Sequence, residues 1–380
     1  MKLTGVQCIY FSPCGSVRKL ALAVAQEAAR AAKLPLSVFD LTLPESRKTP
    51  LSFSSDSLTI AAFPVYAGRL PNRLLGDLQR LFCHGCGPAV PLVVYGNRSY
   101  GDALRELGLL LEQNGFAVVA GAALVAQHAF ANTLAAGRPN AEDLAAAAAF
   151  GKTLPTLAQT GTSVSLPGND PIGPYYQPKG LDGQPAMFLK AKPITDPSLC
   201  TGCGACANAC PVAAIDPADP VAVPGVCIKC QACIKVCPHE AKHWEDPAFL
   251  SHKAALERDF TAPREAAFFP PSSPIGRWVH VTVDRPLGST HPKHPQMMYP
   301  VNYGFIPGIF APDGEEQDAY ILGVDAPVET FVGRVIAVIR REEDPEEKWV
   351  IAPDGMTFSK EEILAKTRFQ EQFFTVTVIL

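Results

Sequence analysis

Eight of the twelve cysteines stand in two copies of one spacing: Cys200-x-x-Cys203-x-x-Cys206-x-x-x-Cys210-Pro211, then Cys227-x-x-Cys230-x-x-Cys233-x-x-x-Cys237-Pro238. Each cysteine of the second copy lies 27 positions after its counterpart, so the segment is an internal duplication. A cubane iron–sulfur cluster needs four thiolates, and a run of this kind gives three from one tight loop and sends its fourth to the other cluster. The expected ligands are Cys200, Cys203, Cys206 and Cys237 for one 4Fe–4S cluster, and Cys210, Cys227, Cys230 and Cys233 for the other. Zinc sites usually draw on paired C-x-x-C arms with a longer spacer, and a disulfide framework would not repeat this spacing. The chemistry so marked is one-electron transfer.

Three loops in the first hundred residues carry a second kind of chemistry. Ser12-Pro13-Cys14-Gly15-Ser16-Val17-Arg18 follows an apolar run and opens a helical pattern. Hydroxyls and backbone N–H groups at a helix start make a phosphate cradle, though a plain strand–helix turn reads the same way. Pro64-Val65-Tyr66-Ala67-Gly68-Arg69 and Gly96-Asn97-Arg98-Ser99-Tyr100-Gly101 follow two further apolar runs. An isoalloxazine ring fits between such loops, with Tyr66 and Tyr100 as stacking candidates; as loop packing residues they would need no ligand. Near the other end, Asp313-Gly314-Glu315-Glu316-Gln317-Asp318 crowds four carboxylates onto one loop. Mutual repulsion there invites a hard cation, and a solvated acidic turn is the competing reading. Cys83-His84-Gly85-Cys86 runs into Gly87-Pro88 and reads as a surface turn, and Cys8 reads as a buried strand residue.

The elements that must position these groups fall into three regions. Strand-like runs Val6–Phe11, Leu36–Phe39, Leu58–Phe63, Val90–Tyr95 and Phe116–Leu124 alternate with helical stretches Arg18–Lys33, Asn72–Phe82, Ala103–Asn114 and Ala141–Leu157. This alternation predicts an α/β flavodoxin-like doubly wound parallel sheet over residues 1–158, with a ligand at the strand carboxyl ends. A Pro/Gly-rich linker, 159–193, leads to the cysteine module at 194–250. A second linker, 251–274, precedes a β-rich region at 275–380 with one helix near Lys360–Phe373. The 380 residues carry a net charge of −4, which leaves no basic footprint for nucleic acid. No run of about 18 apolar residues occurs and no signal-peptide pattern opens the chain, so the expectation is a cytoplasmic protein without membrane insertion.

Three resemblances add to this reading. Residues Ile194–Trp244 resemble a bacterial two-cluster ferredoxin. The span from Val6 to Trp244, with Phe-Ser-Pro-x-Gly, Pro-Val-Tyr-Ala-Gly-Arg and Tyr-Gly-Asn-Arg-x-Tyr, resembles the flavodoxin–ferredoxin fusion iron–sulfur flavoproteins. That resemblance implies FMN held at Ser12, Gly15, Ser16, Tyr66, Gly68, Arg69, Gly96, Asn97, Tyr100 and Gly101. It also implies redox partner proteins or a small electron acceptor. Cys14 and Val17 depart from it, since flavodoxin phosphate loops usually carry Thr or Ser there. The string Tyr299-Pro300-Val301-Asn302-Tyr303-Gly304-Phe305-Ile306 resembles the soluble inorganic pyrophosphatases, which implies an OB-like β-barrel and Mg²⁺-dependent attack on pyrophosphate.

Carried over residue by residue, Asp313, Glu315 and Asp318 match that family's metal triad, with Glu in the middle place. Glu342 and Glu346 belong to a second acidic cluster ending in the phosphate-binding Lys348, and Tyr303 matches the tyrosine near the active site. The family's late Tyr-Lys pair falls near Phe373-Phe374 here, so the expected hydrolysis is weak or absent. The leading expectation is an electron-transfer flavoprotein with this domain attached. The alternative is an Mg²⁺-dependent inorganic diphosphatase, with pyrophosphate as substrate and the redox modules as regulatory or targeting appendages. A third reading makes the last domain a metal-stabilised interaction module.

Overall fold

The computed structural model of the chain describes residues 2–160, 164–270, 274–291, 294–311, 315–341 and 347–380. Two compact units divide the chain between residues 271 and 272.

In the first unit the chain runs β1 (Gly5–Tyr10), α1 (Ser16–Ala32), β2 (Leu36–Asp40), β3 (Ser57–Pro64), α2 (Leu75–Leu81), β4 (Pro88–Tyr95), α3 (Ala103–Gln113), β5 (Ala117–Val118), β6 (Gly121–Val125) and α4 (Ala141–Thr160). The sheet order is β2-β1-β3-β4-β6 with every pairing parallel, and β5 lies beside β4. This is the flavodoxin-like order, whose switch point between β1 and β3 opens a crevice at the strand carboxyl ends. The run expected at Phe116–Leu124 is two strands, broken at Val119 and Ala120. β3 and β4 are apolar without alternation because helices cover both faces of a parallel sheet. On β1, Cys8 enters the core beneath α1 and α4, and Ile9 enters the opposite core with α2 and α3. Burial pushes the Cys8 thiol up to about 12. Small residues let α1 and α4 approach closely: a Cβ on Gly151 would sit 2.2 Å from the Val24 carbonyl oxygen.

The cysteine module contributes β7 (Ile194–Thr195), α5 (Ala205–Asn208), α6 (Ala232–Lys235) and β8 (Lys242–His243), with β7 and β8 antiparallel. The duplication is visible in the backbone: α5 and α6 each follow a residue of positive φ, Gly204 at 74° and Gln231 at 70°. After it come α7 (Pro247–Asp259) and β9 (Ala267–Phe269). Asp246 caps α7 by accepting from the Phe249 N–H at 2.8 Å, and Pro247 occupies its first turn. β9 pairs antiparallel with β6 and lengthens the sheet. Residues 251–270, expected as linker, therefore hold most of α7 and an edge strand. Their partners, β6 and the aromatic rings of residues 128–130, lie far away in sequence.

In the second unit β10 (Trp278–Arg285), β11 (Thr290–His291), β12 (His294–Met298), β13 (Asn302–Phe310), β14 (Glu316–Ile321), β15 (Thr330–Arg341) and β16 (Glu347–Ala352) precede α8 (Lys360–Glu371) and β17 (Val376–Ile379). Pairing runs β10-β13-β14-β16-β15, and β15 pairs back to β10, which closes a five-stranded OB-like barrel. A capping box between Ser359 and Glu362 starts α8, which lays Ile363 in the core with Tyr299 and Tyr320 and buries Thr367. The helix also brings a charge inside. Glu371 grips Arg341 with bonds of 2.7 and 2.9 Å and accepts from the Tyr320 hydroxyl at 2.5 Å, with both charged side chains at most 4% exposed. Burial would pull the guanidinium down, but Glu371 holds it above its ordinary value. Among the described residues no helix is long and apolar enough to cross a membrane.

Removing one partner of such a pair leaves a buried charge alone. Glu371→Ala is expected to destabilise the barrel by roughly 3–5 kcal/mol, whereas the double replacement Arg341→Met/Glu371→Leu recovers most of that loss. Urea unfolding of the full chain, followed by Trp278 and Trp349 fluorescence, measures both; equal losses for the single and double variants would refute the account.

Candidate functional site

The cysteine module holds two cavities. Counting space open to solvent, one measures about 380 Å³ and is lined among others by Cys210, Cys227, Cys230 and Cys233. The other, counted in the same way, measures about 310 Å³ and is lined among others by Cys200, Cys203, Cys206 and Cys237. These are the two crossed sets expected from the spacing. Among the described residues no three His, Cys, Asp or Glu side chains converge on one ion. The thiols instead surround a space, which suits a polynuclear cluster better than a single zinc. Backbone N–H groups point at sulfur, Ala214 to Cys210 at 3.1 Å and Lys229 to Cys227 at 3.3 Å, a contact that tunes iron–sulfur sites. Burial pushes the Cys233 thiol up to about 12, so such a thiol needs a metal's own charge to become a thiolate at neutral pH.

Lys242, which sequence reasoning missed, lies 2% exposed between the two cavities. Its ammonium donates to the Pro220 carbonyl at 2.6 Å, and its charge reaches Cys206, Cys237 and Cys233, thiols of both sets. A lysine in a strand-like segment carries no signal of burial.

The crevice at the switch point is a cleft of about 1850 Å³, counting space open to solvent. Ser12, Cys14, Ser16 and Val17 line it from the first loop, Tyr66 from the second, and Gly96 and Arg98 from the third. Gly15, at φ 85°, shapes the turn into α1, and Ser12 accepts from the Arg18 N–H at 2.9 Å. The other expected residues do different work. Arg69 forms a bidentate pair with Glu106, and Tyr100 packs edge-on against Tyr95 at 5.5 Å. Asn97 donates to the carbonyls of Phe260 and Ala262, clasping the chain after α7. None of these three is among the lining residues. Gly68 and Gly101 let their two loops touch: a Cβ on Gly101 would lie 2.5 Å from the Gly68 carbonyl oxygen.

The opposite wall comes from residues with no motif. Phe130 and His128 follow β6, Tyr176 and Phe188 come from the expected linker, and His252 comes from α7. Arg98 lies 3.9 Å over the Tyr176 ring, and His252 stacks on Phe188 at 5.4 Å. Burial, helped by His252, Arg98 and Lys235, pulls His128 down to about 4, so its imidazole is neutral at neutral pH. The His128 Nδ1 accepts from the Phe130 N–H at 3.1 Å, which leaves Nε2 to carry the ring proton. Burial also lowers Arg98 and His252 and drives the Tyr66 hydroxyl well above its ordinary value. Among the described residues no Asp or Glu lines the cleft.

The cysteine module closes the end of the cleft beside the first loop. Cys14 donates its thiol hydrogen to the Cys230 carbonyl at 2.9 Å, and Cys230 lines both the cleft and the first cysteine cavity. The buried Arg47 donates to the Pro211 carbonyl at 2.7 Å, and Trp244 stacks on Phe249 at 4.1 Å.

In the barrel, Lys348 is 3% exposed and paired with Asp318, 5.9 Å from the Tyr303 ring. The structure thus brings Tyr303, Asp318 and Lys348 together. Glu315 is exposed, while Asp313, Glu342 and Glu346 lie outside the described residues. Phe373 is exposed and Phe374 stacks on Arg341 at 4.0 Å.

A family model described as a 4Fe-4S binding domain matches residues 193–216, and one described as inorganic pyrophosphatase matches residues 280–354. No curated protein matches the sequence. Among solved structures, the chain is similar to a flavodoxin from the domain Archaea at 11% identity, covering 41% of this chain and 99% of that one, with a TM-score of 0.30. It is similar to rubredoxin oxygen:oxidoreductase from the anaerobe Desulfovibrio gigas at 16% identity, covering 42% and 37%, with a TM-score of 0.31. It is also similar to an inorganic pyrophosphatase from Neisseria gonorrhoeae at 22% identity, covering 25% and 72%, with a TM-score of 0.22. By its strand order, its duplicated cysteine motif and the two family matches, the chain is a fusion of a flavodoxin-like domain, a 4Fe–4S ferredoxin-like module and an inorganic pyrophosphatase-like barrel.

Proposed function

We propose that the chain is a cytoplasmic electron-transfer iron–sulfur flavoprotein, passing electrons between two 4Fe–4S clusters and FMN. The observation that carries this reading is Cys230, a single residue that lines both a four-cysteine cavity and the cleft. A flavin exchanges electrons in pairs or singly, and the clusters exchange them singly. Cys200, Cys203, Cys206 and Cys237 would hold one cluster, and Cys210, Cys227, Cys230 and Cys233 the other. Tyr66, Gly96 and Arg98 would hold the flavin ring, with Ser16 and the N–H groups opening α1 toward its phosphate. Phe130, Tyr176 and Phe188 exclude water from the far wall. The external partner is a redox protein or a small electron acceptor.

A second reading, pyrophosphate hydrolysis by the barrel, draws on the grouping of Tyr303, Asp318 and Lys348. Mg²⁺ beside Asp318 and Glu315 would activate water and neutralise phosphoryl charge, and Lys348 would grip a phosphate. Lys348 is paired with Asp318, and Phe373 and Phe374 supply no cation, so transition-state charge is poorly met. A deficit of that kind costs roughly 10² to 10³ in rate.

Protein purified without oxygen is expected to carry about eight iron and eight sulfide per chain, with FMN bound; zinc without sulfide would refute the cluster assignment. Cys210→Ser should remove the cluster of Cys227, Cys230 and Cys233 and spare the other. An electron paramagnetic resonance signal lost from the Cys200 set instead would overturn the crossed ligation.

A buried ammonium favours neighbouring sites that gain negative charge on reduction. Lys242→Met should therefore make both cluster potentials more negative, the Cys200 set most, while Lys242→Arg stays near the parent; unchanged potentials would remove Lys242 from this role.

Phosphate release from pyrophosphate with Mg²⁺ is expected to be at least 10²-fold below that of a full-length pyrophosphatase. Full turnover abolished by Asp318→Ala would make the barrel the catalytic part.

A further inference from the structure

The flavin-phosphate end of the cleft lacks two of the hydroxyls that such a loop ordinarily offers. The Cys14 thiol is turned to the Cys230 carbonyl, Val17 has no polar atom, and Ser12 Oγ takes up the Arg18 N–H, one of the donors that open α1. A phosphate monoester there would meet the remaining backbone N–H groups and the Ser12 and Ser16 hydroxyls, yet it carries close to two negative charges at neutral pH.

Among the described residues the cleft has five basic side chains and no carboxylate on its lining. His128 is neutral and Arg98 lies on Tyr176, against the Gly68 loop. Lys229 donates to the Leu189 and Cys227 carbonyls at 2.8 and 3.3 Å. His252 is bonded at Nδ1 to the Lys179 carbonyl at 2.8 Å. Lys235 differs from all four: among the described residues no carboxylate or carbonyl pairs with its ammonium. It ends α6, five residues beyond Cys230, whose carbonyl is fastened to the first loop by Cys14. Lys235 lines the same cleft as Ser12, Cys14 and Ser16, and its charge acts on Cys14 and His128.

We propose that Lys235, carried by the ferredoxin-like module, completes the site for the flavin's 5′-phosphate, so that the two modules hold the cofactor jointly. The inference rests on the flavin reading above. Lysine binds phosphate as a point charge and tolerates the open geometry at the end of a short helix. Cys14 then serves as the fastener that sets the distance between loop and lysine.

The test compares FMN with riboflavin, which shares the ring and lacks the phosphate, on full-length protein with intact clusters and its flavin removed. Binding is read by quenching of flavin fluorescence. Lys235→Met is expected to weaken FMN roughly 10- to 100-fold, the range of a hydrogen bond to a charged group, and to leave riboflavin unchanged within about twofold. Lys235→Arg should restore most of the loss, and iron and sulfide content reports that the module is intact. In the parent protein the preference for FMN over riboflavin should shrink as salt is raised. Equal weakening of both ligands, or a salt-independent preference, would overturn the proposal and leave the flavin reading standing. Binding of neither ligand to the parent protein would remove both.

Discussion

Four cysteine thiols line each of the two cavities of the module, and each cysteine run places only three in one loop. This constraint folds residues 194–244 back on themselves so that Cys210 and Cys237 cross between the repeats. The module has little else to hold it. Its own apolar core consists of Cys206, Cys210, Ala214 and Ile215 with a few partly buried neighbours, and its regular structure is two four-residue helices and two two-residue strands. A core that small cannot offset the chain entropy of about fifty ordered residues. Metal ligation contributes folding free energy directly in such modules, so the cysteines are structural as well as electronic.

Docking on the flavodoxin-like sheet supplies the remaining support. Arg47 reaches Pro211 from one side, and Trp244, Phe249, Phe130 and Phe188 form an aromatic contact on the other. The hydrogen bond from the Cys14 thiol to the Cys230 carbonyl is a third anchor. The arrangement makes the cleft a composite of the sheet's loops, the Tyr175–Leu189 stretch and the ferredoxin-like module. Any loss of the module would open the cleft as well as remove both cysteine cavities.

The barrel solves a different problem. Its buried charges, Arg341 with Glu371 and Lys348 with Asp318, are compensated within the fold. In the first pair the carboxylate comes from α8 and fixes the helix against Tyr320. The second sits beside Tyr303, where the family resemblance places chemistry, and there the pairing draws charge away from any phosphate ligand. Phe374, stacked on Arg341, shows the position of the missing Tyr-Lys pair turned to packing.

Periodicity in the sequence was enough to place β1 to β4, α1, α3 and α8 within about two residues, because each buries a face whose pattern is written locally. The duplicated spacing sorts the eight cysteines into the same two sets of four that line the two cavities, three from one run and one from the other. Side-chain direction in the loops was not legible. Arg69, Asn97 and Tyr100 sit where the strand ends suggested, but Glu106, the Phe260 carbonyl and Tyr95 decide where each one points. Residues 164–189 read as linker since proline and glycine erase periodicity there, and residues 251–270 read as linker although 251–262 contain neither. Their burial depends on partners far away in sequence, as when Phe188 meets Phe249, Asn97 clasps residue 260, and β9 finds β6. What the sequence determined alone was most of the elements and the grouping of the eight cysteines, which follow from short-range pattern. Which cations face the cleft, and that Cys230 is shared between cleft and cavity, only the tertiary structure decided, because those distances are set by packing between segments that the chain keeps far apart.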